Sequence, residues 1–246
     1  MPERRLLSLL LLLCWTLPAM AQEFVVTGRV DLVNPRGKPS RGNQQSNTVV
    51  WLTPVQPASD SQTDVRKDDG PPKPVRLTQK NKSFDPHVLV IPAGTSVEFP
   101  NLDPFFHNVF SLFEGKRFDL GLYEAGGTRF VRFERPGISY IFCNIHPEMS
   151  AAVIALSTPY FGRTDASGNI AIRAVPAGDY IIHVWSERAS PESAGAATRE
   201  VTVAADSASL GMIRLQLTTD SLPSHKNKYG RDYDKPAPSN PVYEQP

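Results

Sequence analysis

Short apolar runs closed by turn residues constrain this chain more than any other feature. Between residues 86 and 157 stand PHVLVIP, TSVEFPN, TRFVRFE, GISYIFC and AAVIALS. Each is rich in Val, Ile, Phe or Thr, and Gly, Pro, Asn or Asp punctuates the gaps. In GISYIFC the two-residue period places Ile141 and Cys143 on one face and Tyr140 and Phe142 on the other. Long amphipathic helical patterns are absent, and the 23 prolines of 246 residues disfavour long helices. The pattern predicts an all-β fold of packed sheets.

The N-terminus reads as an export signal. Arg4 and Arg5 precede an apolar stretch from Leu6 to Leu17, and Ala19-Met20-Ala21 fits a signal-peptidase site. Residues 1–21 are therefore expected to be removed, leaving an exported protein, periplasmic or extracellular. The apolar stretch is too short for a membrane span, and no later one approaches the roughly 18 residues needed. Cleavage takes Glu3, Arg4 and Arg5 from 25 acidic and 26 basic residues, so the mature chain is formally neutral. Nucleic acid as a partner is not expected, since it demands a basic surface. Cleavage also removes Cys14 and leaves Cys143 as the single thiol, which cannot form an internal disulfide.

The remaining segments sort by composition. QEFVVTGRVDLVN and TVVWLTP, within residues 22–56, read as two strands. Residues 57–74 are polar and Pro-rich and read as a linker. Residues 75–157 carry the dense strand series. Residues 158–217 return to alternating strands around the turn signals DASGN and PAGDY. Residues 218–246 are polar and Pro-rich, with little to bury, and are expected to form a mobile tail.

Chemistry concentrates in ISYIFCNIHPEMSAAVIAL. Cys143 ends a strand, and the short loop to the next strand carries His146 and Met149. Such a loop can turn the imidazole and thioether back toward the sulfur. These donors prefer soft or borderline metals, and two His, one Cys and a weak axial Met make a blue-copper site. The second histidine must come from elsewhere, and His107, 36 residues upstream in FPNLDPFFHNVFS, is expected on a loop at the same end. Taken singly, a Cys at a strand end is usually core and a His among aromatics is usually hydrogen-bonded. Zinc is the chemical rival, but a thioether gains it little. A CuA centre needs a second Cys, which the loop lacks. His87 and His183 read as surface and structural residues, and His225 has no partner in view.

With these motifs in place, residues 75–157 resemble a cupredoxin, a Greek-key β-sandwich. FDPHVLVIPAGTSVEFPNLDPFFHNV followed by GISYIFCNIHPEM is similar to small blue copper proteins. The Cys-x-x-His-x-x-Met spacing resembles the short ligand loop of amicyanin. The resemblance implies one type 1 copper held by His107, Cys143, His146 and axial Met149, with Asn108 steadying the sulfur from the second shell.

The flanking segments carry another resemblance. VTGRVDLVNPRGKPSRGNQQSNTVVWL and GRTDASGNIAIRAVPAGDYIIHVW together resemble the carboxypeptidase regulatory-like, immunoglobulin-like β-sandwich. About 100 residues separate the two parts, which implies a cupredoxin inserted in a loop of that sandwich. No catalytic triad or carboxylate pair stands in it.

The expected function is one-electron transport to a redox protein partner, with no enzymatic activity, because a single closed metal site leaves no place for substrate. The alternative is a copper-binding or transfer protein, or a module that contacts carbohydrate or protein through the second sandwich. Exposed apolar residues are expected beside His146, with Phe105 and Phe106 at the same end.

Overall fold

The computed structural model describes residues 22–34, 47–56, 74–112, 115–218 and 226–233. The expected signal segment, nearly all of the linker, and His225 lie outside the described residues. The described chain is nearly all β. It opens with β1 (Glu23–Val33) and β2 (Val49–Pro54). The middle holds β3 (Val75–Arg76), β4 (Thr78–Lys80), β5 (Ser83–Asp85), β6 (Val88–Pro92), β7 (Thr95–Pro100), β8 (His107–Ser111), β9 (Phe118–Tyr123), β10 (Thr128–Phe133), β11 (Gly137–Cys143) and β12 (Ser150–Leu156). Then follow β13 (Phe161–Arg163), β14 (Asn169–Pro176), β15 (Gly178–Trp185), α1 (Pro191–Ala196), β16 (Arg199–Val203) and β17 (Ser209–Gln216).

The middle strands make two facing layers. One is a five-stranded sheet in the order β6-β12-β11-β8-β9, and the other is β10-β7-β3. Leu77, Val97, Phe99, Val131 and Phe133 meet Val109, Ile141, Cys143 and Val153 between them. The alternation read in β11 holds, with Ser139, Ile141 and Cys143 buried and their neighbours partly exposed. One strand differs from the sequence reading, and one hairpin was not read in it. HNVFS is a fully buried strand, not a loop, because β8 lies between β11 and β9 and is covered on both faces. TQKNKSFD is the β4–β5 hairpin, whose turn residues Asn81 and Lys82 both take left-handed backbone angles.

The first and last strands build a second pair of layers. β1 runs between β14 and β17, and β2 runs between β13 and β15. Their sheets, β14-β1-β17 and β13-β2-β15-β16, enclose Val26, Val30, Leu52, Ile172, Ile182 and Leu215. Each such residue gains about 1.5–3 kcal/mol from burial. The short helix follows from local chemistry. Ser190 caps it by accepting from the Ser193 amide, Pro191 fits its first turn, and it buries none of its residues.

A third apolar cluster joins the two pairs. Val88, Ala152, Ile154 and Leu156, on the outer face of the five-stranded sheet, pack with Val49 and Trp185. Trp185 Nε1–H also donates to the Tyr140 hydroxyl at 3.2 Å. This explains why SAAVIAL is apolar without alternation: β12 is buried on both faces. His87 sits at the same joint, with Nδ1 at 3.0 Å from the Ser150 carbonyl and Nε2 at 2.6 Å from Glu187 Oε2. It is therefore a joint residue, not the free surface residue expected. His183 stacks on Trp51 at 5.2 Å, a structural role.

Candidate metal centre

Three donor atoms converge at one end of the middle layers. Cys143 Sγ lies 3.6 Å from His107 Nδ1 and 3.6 Å from His146 Nδ1, and the two nitrogens are 3.2 Å apart. Strand register brings the distant pair together, since β11 and β8 align Cys143 opposite Val109, two residues from His107. The loop supplies His146: Met149 N–H donates to the His146 carbonyl at 3.1 Å and Cys143 N–H to the Met149 carbonyl at 3.3 Å. Those two bonds fold the seven residues from Cys143 to Met149 back on themselves.

His107 and Cys143 are fully buried, and His146 is half-buried. Met149 is fully buried in the same cluster as Cys143. The triangle suits a single metal ion, since an ion about 2.0–2.1 Å from nitrogen and about 2.3 Å from sulfur spans edges of this size. Two imidazoles and a thiolate, with a thioether in the same core, form the donor set of copper rather than of a hard cation. The residues present fit the group.

The surroundings fix each donor. His107 Nε2 faces Asp103 Oδ2 at 2.9 Å inside the protein. A proton held on Nε2 leaves Nδ1 as the lone-pair donor, which sets the tautomer. Asp103 stays ionised for a legible reason. Burial alone would raise its carboxyl, but the Lys82 amide, His107 and the Asn81 amide hold it below the usual carboxylate range. Those amides are the hairpin turn between β4 and β5, at 3.0 and 2.6 Å. Asn101 shapes the loop, accepting from the Asp103 amide and donating to the Phe105 carbonyl. Neither Asp103 nor Asn101 was singled out by the sequence. The one signal was Asp four residues before His, and it gains meaning only once the hairpin lies against it.

The thiol is held acidic. Burial would raise it, but His107 and the backbone amides of Asn108, Ile145 and His146 outweigh that and lower it. Asn108 thus meets the sulfur through its amide, while its side chain donates to Asp119 Oδ1 at 2.7 Å. Burial lowers the His107 imidazole, and contacts with Cys143 and Asp103 reverse this and raise it. Burial and the neighbouring His107 lower His146. Phe105 packs its ring 5.3 Å from His107 and 5.4 Å from His146, closing one side. Phe106, its neighbour, and Ile145 are exposed.

Residues 226–233 also reach this end, in place of the free tail expected there. Tyr233 donates its hydroxyl to the Cys143 carbonyl at 2.7 Å, and the Lys228 amide donates to Asn144 Oδ1 at 2.9 Å.

Layers and donor set together define an all-β protein with one His–Cys–His donor group among its described residues. Its solved structural neighbours are cupredoxins and copper proteins. The chain is similar to a purple cupredoxin from Nitrosopumilus maritimus at 24% identity, over 33% of this chain and 99% of that one, with a TM-score of 0.31. It is similar to a Cu-containing nitrite reductase from Thermus scotoductus SA-01 at 26% identity, over 43% of this chain and 26% of that one, with a TM-score of 0.34. A Cu(I) amicyanin variant is 15% identical over 33% of this chain and 81% of its own, with a TM-score of 0.32. No family model and no curated protein matches the chain. Among the described residues no helix is long and apolar enough to cross a membrane.

Proposed function

We propose that the protein is an exported one-electron carrier with a single type 1 copper, and that it has no enzymatic activity. The observation that carries this reading is the buried Nδ1–Sγ–Nδ1 triangle with edges of 3.2 to 3.6 Å. Copper, when bound, alternates between Cu(II) and Cu(I) and so supplies the electron. The chain supplies the frame. Cys143 offers an acidified thiolate, His107 is locked by Asp103, His146 is set by the loop, and Met149, buried in the same core, would offer its thioether to the copper. Donors fixed by strands and by a hydrogen-bonded loop move little between oxidation states. Ile145, next to the half-buried His146, is exposed, as is Phe106, next to the Phe105 that packs on His146, which suits brief contact with a redox protein. In this reading the middle strands are a cupredoxin-like unit inserted between β2 and β13 of a regulatory-like sandwich.

Adding Cu(II) to the protein tests the proposal. An intense visible thiolate-to-copper band is expected, lost in Cys143→Ser because a hydroxyl does not replace a soft thiolate. Met149→Gln should keep copper but shift the potential. A colourless product, or simple oxidation of Cys143, refutes the carrier.

A further inference from the structure

The C-terminal piece reaches far from where its strand ends. β17 belongs to the sandwich of the first and last strands, yet residues 226–233 lie on the metal end of the middle layers. We propose that this segment is a clasp on the ligand loop, with Tyr233 and Lys228 as positioning residues for the metal centre. The proposal rests on the copper reading above.

The segment carries its own turn. Asn227 folds it by accepting, through Oδ1, from the Tyr229 and Arg231 amides at 3.0 and 3.1 Å. The Asn227 amide donates to the Arg231 carbonyl and the Gly230 amide to the Asn227 carbonyl, both at 2.9 Å. Gly230 takes the left-handed angle that closes the turn.

The clasp meets the middle layers at the Cys143 carbonyl and at the Asn144 and Asp119 side chains. Tyr233 holds the carbonyl of Cys143 itself. Lys228 holds Asn144 through its amide, and its ammonium lies 2.9 Å from Asp119 Oδ2. Asp119 in turn holds the Asn108 side chain, and the Asn144 amide donates to the Asn108 carbonyl at 2.9 Å. Asn108 follows His107 in β8, and Asn144 lies between Cys143 and the rest of the ligand loop. The clasp therefore pins the backbone on both sides of the sulfur, at Cys143 and Asn144 directly and at Asn108 through Asp119 and Asn144. Hydrogen bonds to a metal-bound sulfur withdraw its charge and tune the metal. Loosening them leaves more negative charge on sulfur, which favours Cu(II) and lowers the potential.

The test uses full-length Tyr233→Phe and Lys228→Arg, with a chain ending at residue 225. Tyr233→Phe removes one donor and keeps the ring; Lys228→Arg keeps the amide and the charge. Three readouts apply: the potential of the copper-loaded protein, the rate of copper loss to a chelator, and amide exchange at residues 144–146 in the metal-free protein. Tyr233→Phe and the shortened chain should show a lower potential, about tenfold faster copper loss and faster amide exchange, with Lys228→Arg like wild type. Unchanged values in Tyr233→Phe and the shortened chain overturn the clasp. Should wild type give no thiolate-to-copper band, the carrier reading fails, and amide exchange alone still decides for or against the clasp.

Discussion

The two pairs of layers are built alike and filled differently. The core of the first and last strands is mostly apolar: Val30, Leu32, Leu52, Ile172, Ile182 and Leu215 are all fully buried, and the polar residues buried in these segments are Asp31, Thr48, Thr158 and Thr164. The core of the middle strands takes in Gln79, Asn101, Asp103, His107, Asn108 and Ser139 as well. Burying such groups costs stability unless each finds partners. Asp103 meets two turn amides and His107, and Gln79 donates to the Tyr123 hydroxyl at 2.5 Å. The contrast separates a scaffold from a site. One core holds none of the clustered donors, and the other gives up some burial to hold the His107, Cys143 and His146 side chains together.

Four substitutions break or sharpen that contrast. The largest effect belongs to the joint. Trp185→Ala removes the indole packed on Val88, Ile154 and Val49 and its hydrogen bond to Tyr140. It should cost about 3–5 kcal/mol. If the joint couples the two cores, calorimetry should show one transition in wild type and two in the variant. Two transitions in wild type would mean the cores are already independent.

Leu52→Ala opens a hole in the core of the first and last strands and should cost about 2–5 kcal/mol. The thiolate-to-copper band should be unchanged, because Leu52 belongs to the cluster that holds none of the donors. A shifted band would show that the scaffold reaches into the site.

Asp103→Asn acts on the other core. The amide oxygen in place of Oδ2 can still accept from His107 Nε2 and the Lys82 amide, but its NH2 group opposes the turn amide of Asn81. Copper affinity should fall about 10- to 100-fold, measured by competition with a chelator, with a small change in the unfolding of the scaffold core. Wild-type affinity would remove Asp103 from the account of the site.

The smallest effect is a pH dependence at the joint. Hydrogen bonding to Glu187 raises the His87 imidazole against the lowering effect of burial. A raised folded value means the pair stabilises fully below the ordinary pH of about 6.5 and fades as pH climbs through the higher folded value. The pair is partly exposed, so its worth is about 1 kcal/mol or less and falls with salt. His87→Gln should flatten that part of the stability profile above pH 6.5, read by denaturant titration at several pH values. An identical profile in the variant would assign the dependence to other groups.

Much of this contrast was legible along the chain, and the reason is range. Alternation in GISYIFC put Cys143 on the inner face, and a short loop ending on a strand brought His146 beside it. Spacings of a few residues are governed by the two-residue strand period and by turn closure, both written locally. His107 was legible as a candidate, but its place was read as a loop. HNVFS is short and continuously apolar, and only its position between β11 and β9 makes it a strand. Two-sided burial of β12 was likewise visible only as an apolar run without alternation.

By itself the sequence determined the all-β class, the turn-punctuated strands and the Cys143–His146–Met149 spacing. Only the tertiary structure decided that β1 and β2 pair with strands more than 100 residues later, that the β4–β5 turn charges the Asp103 carboxylate beside His107, and that Tyr233 lies on the Cys143 carbonyl. These contacts close loops of tens to hundreds of residues. Nothing in the local pattern of either partner encodes such a register. It is selected by which faces bury together once the sheets have formed.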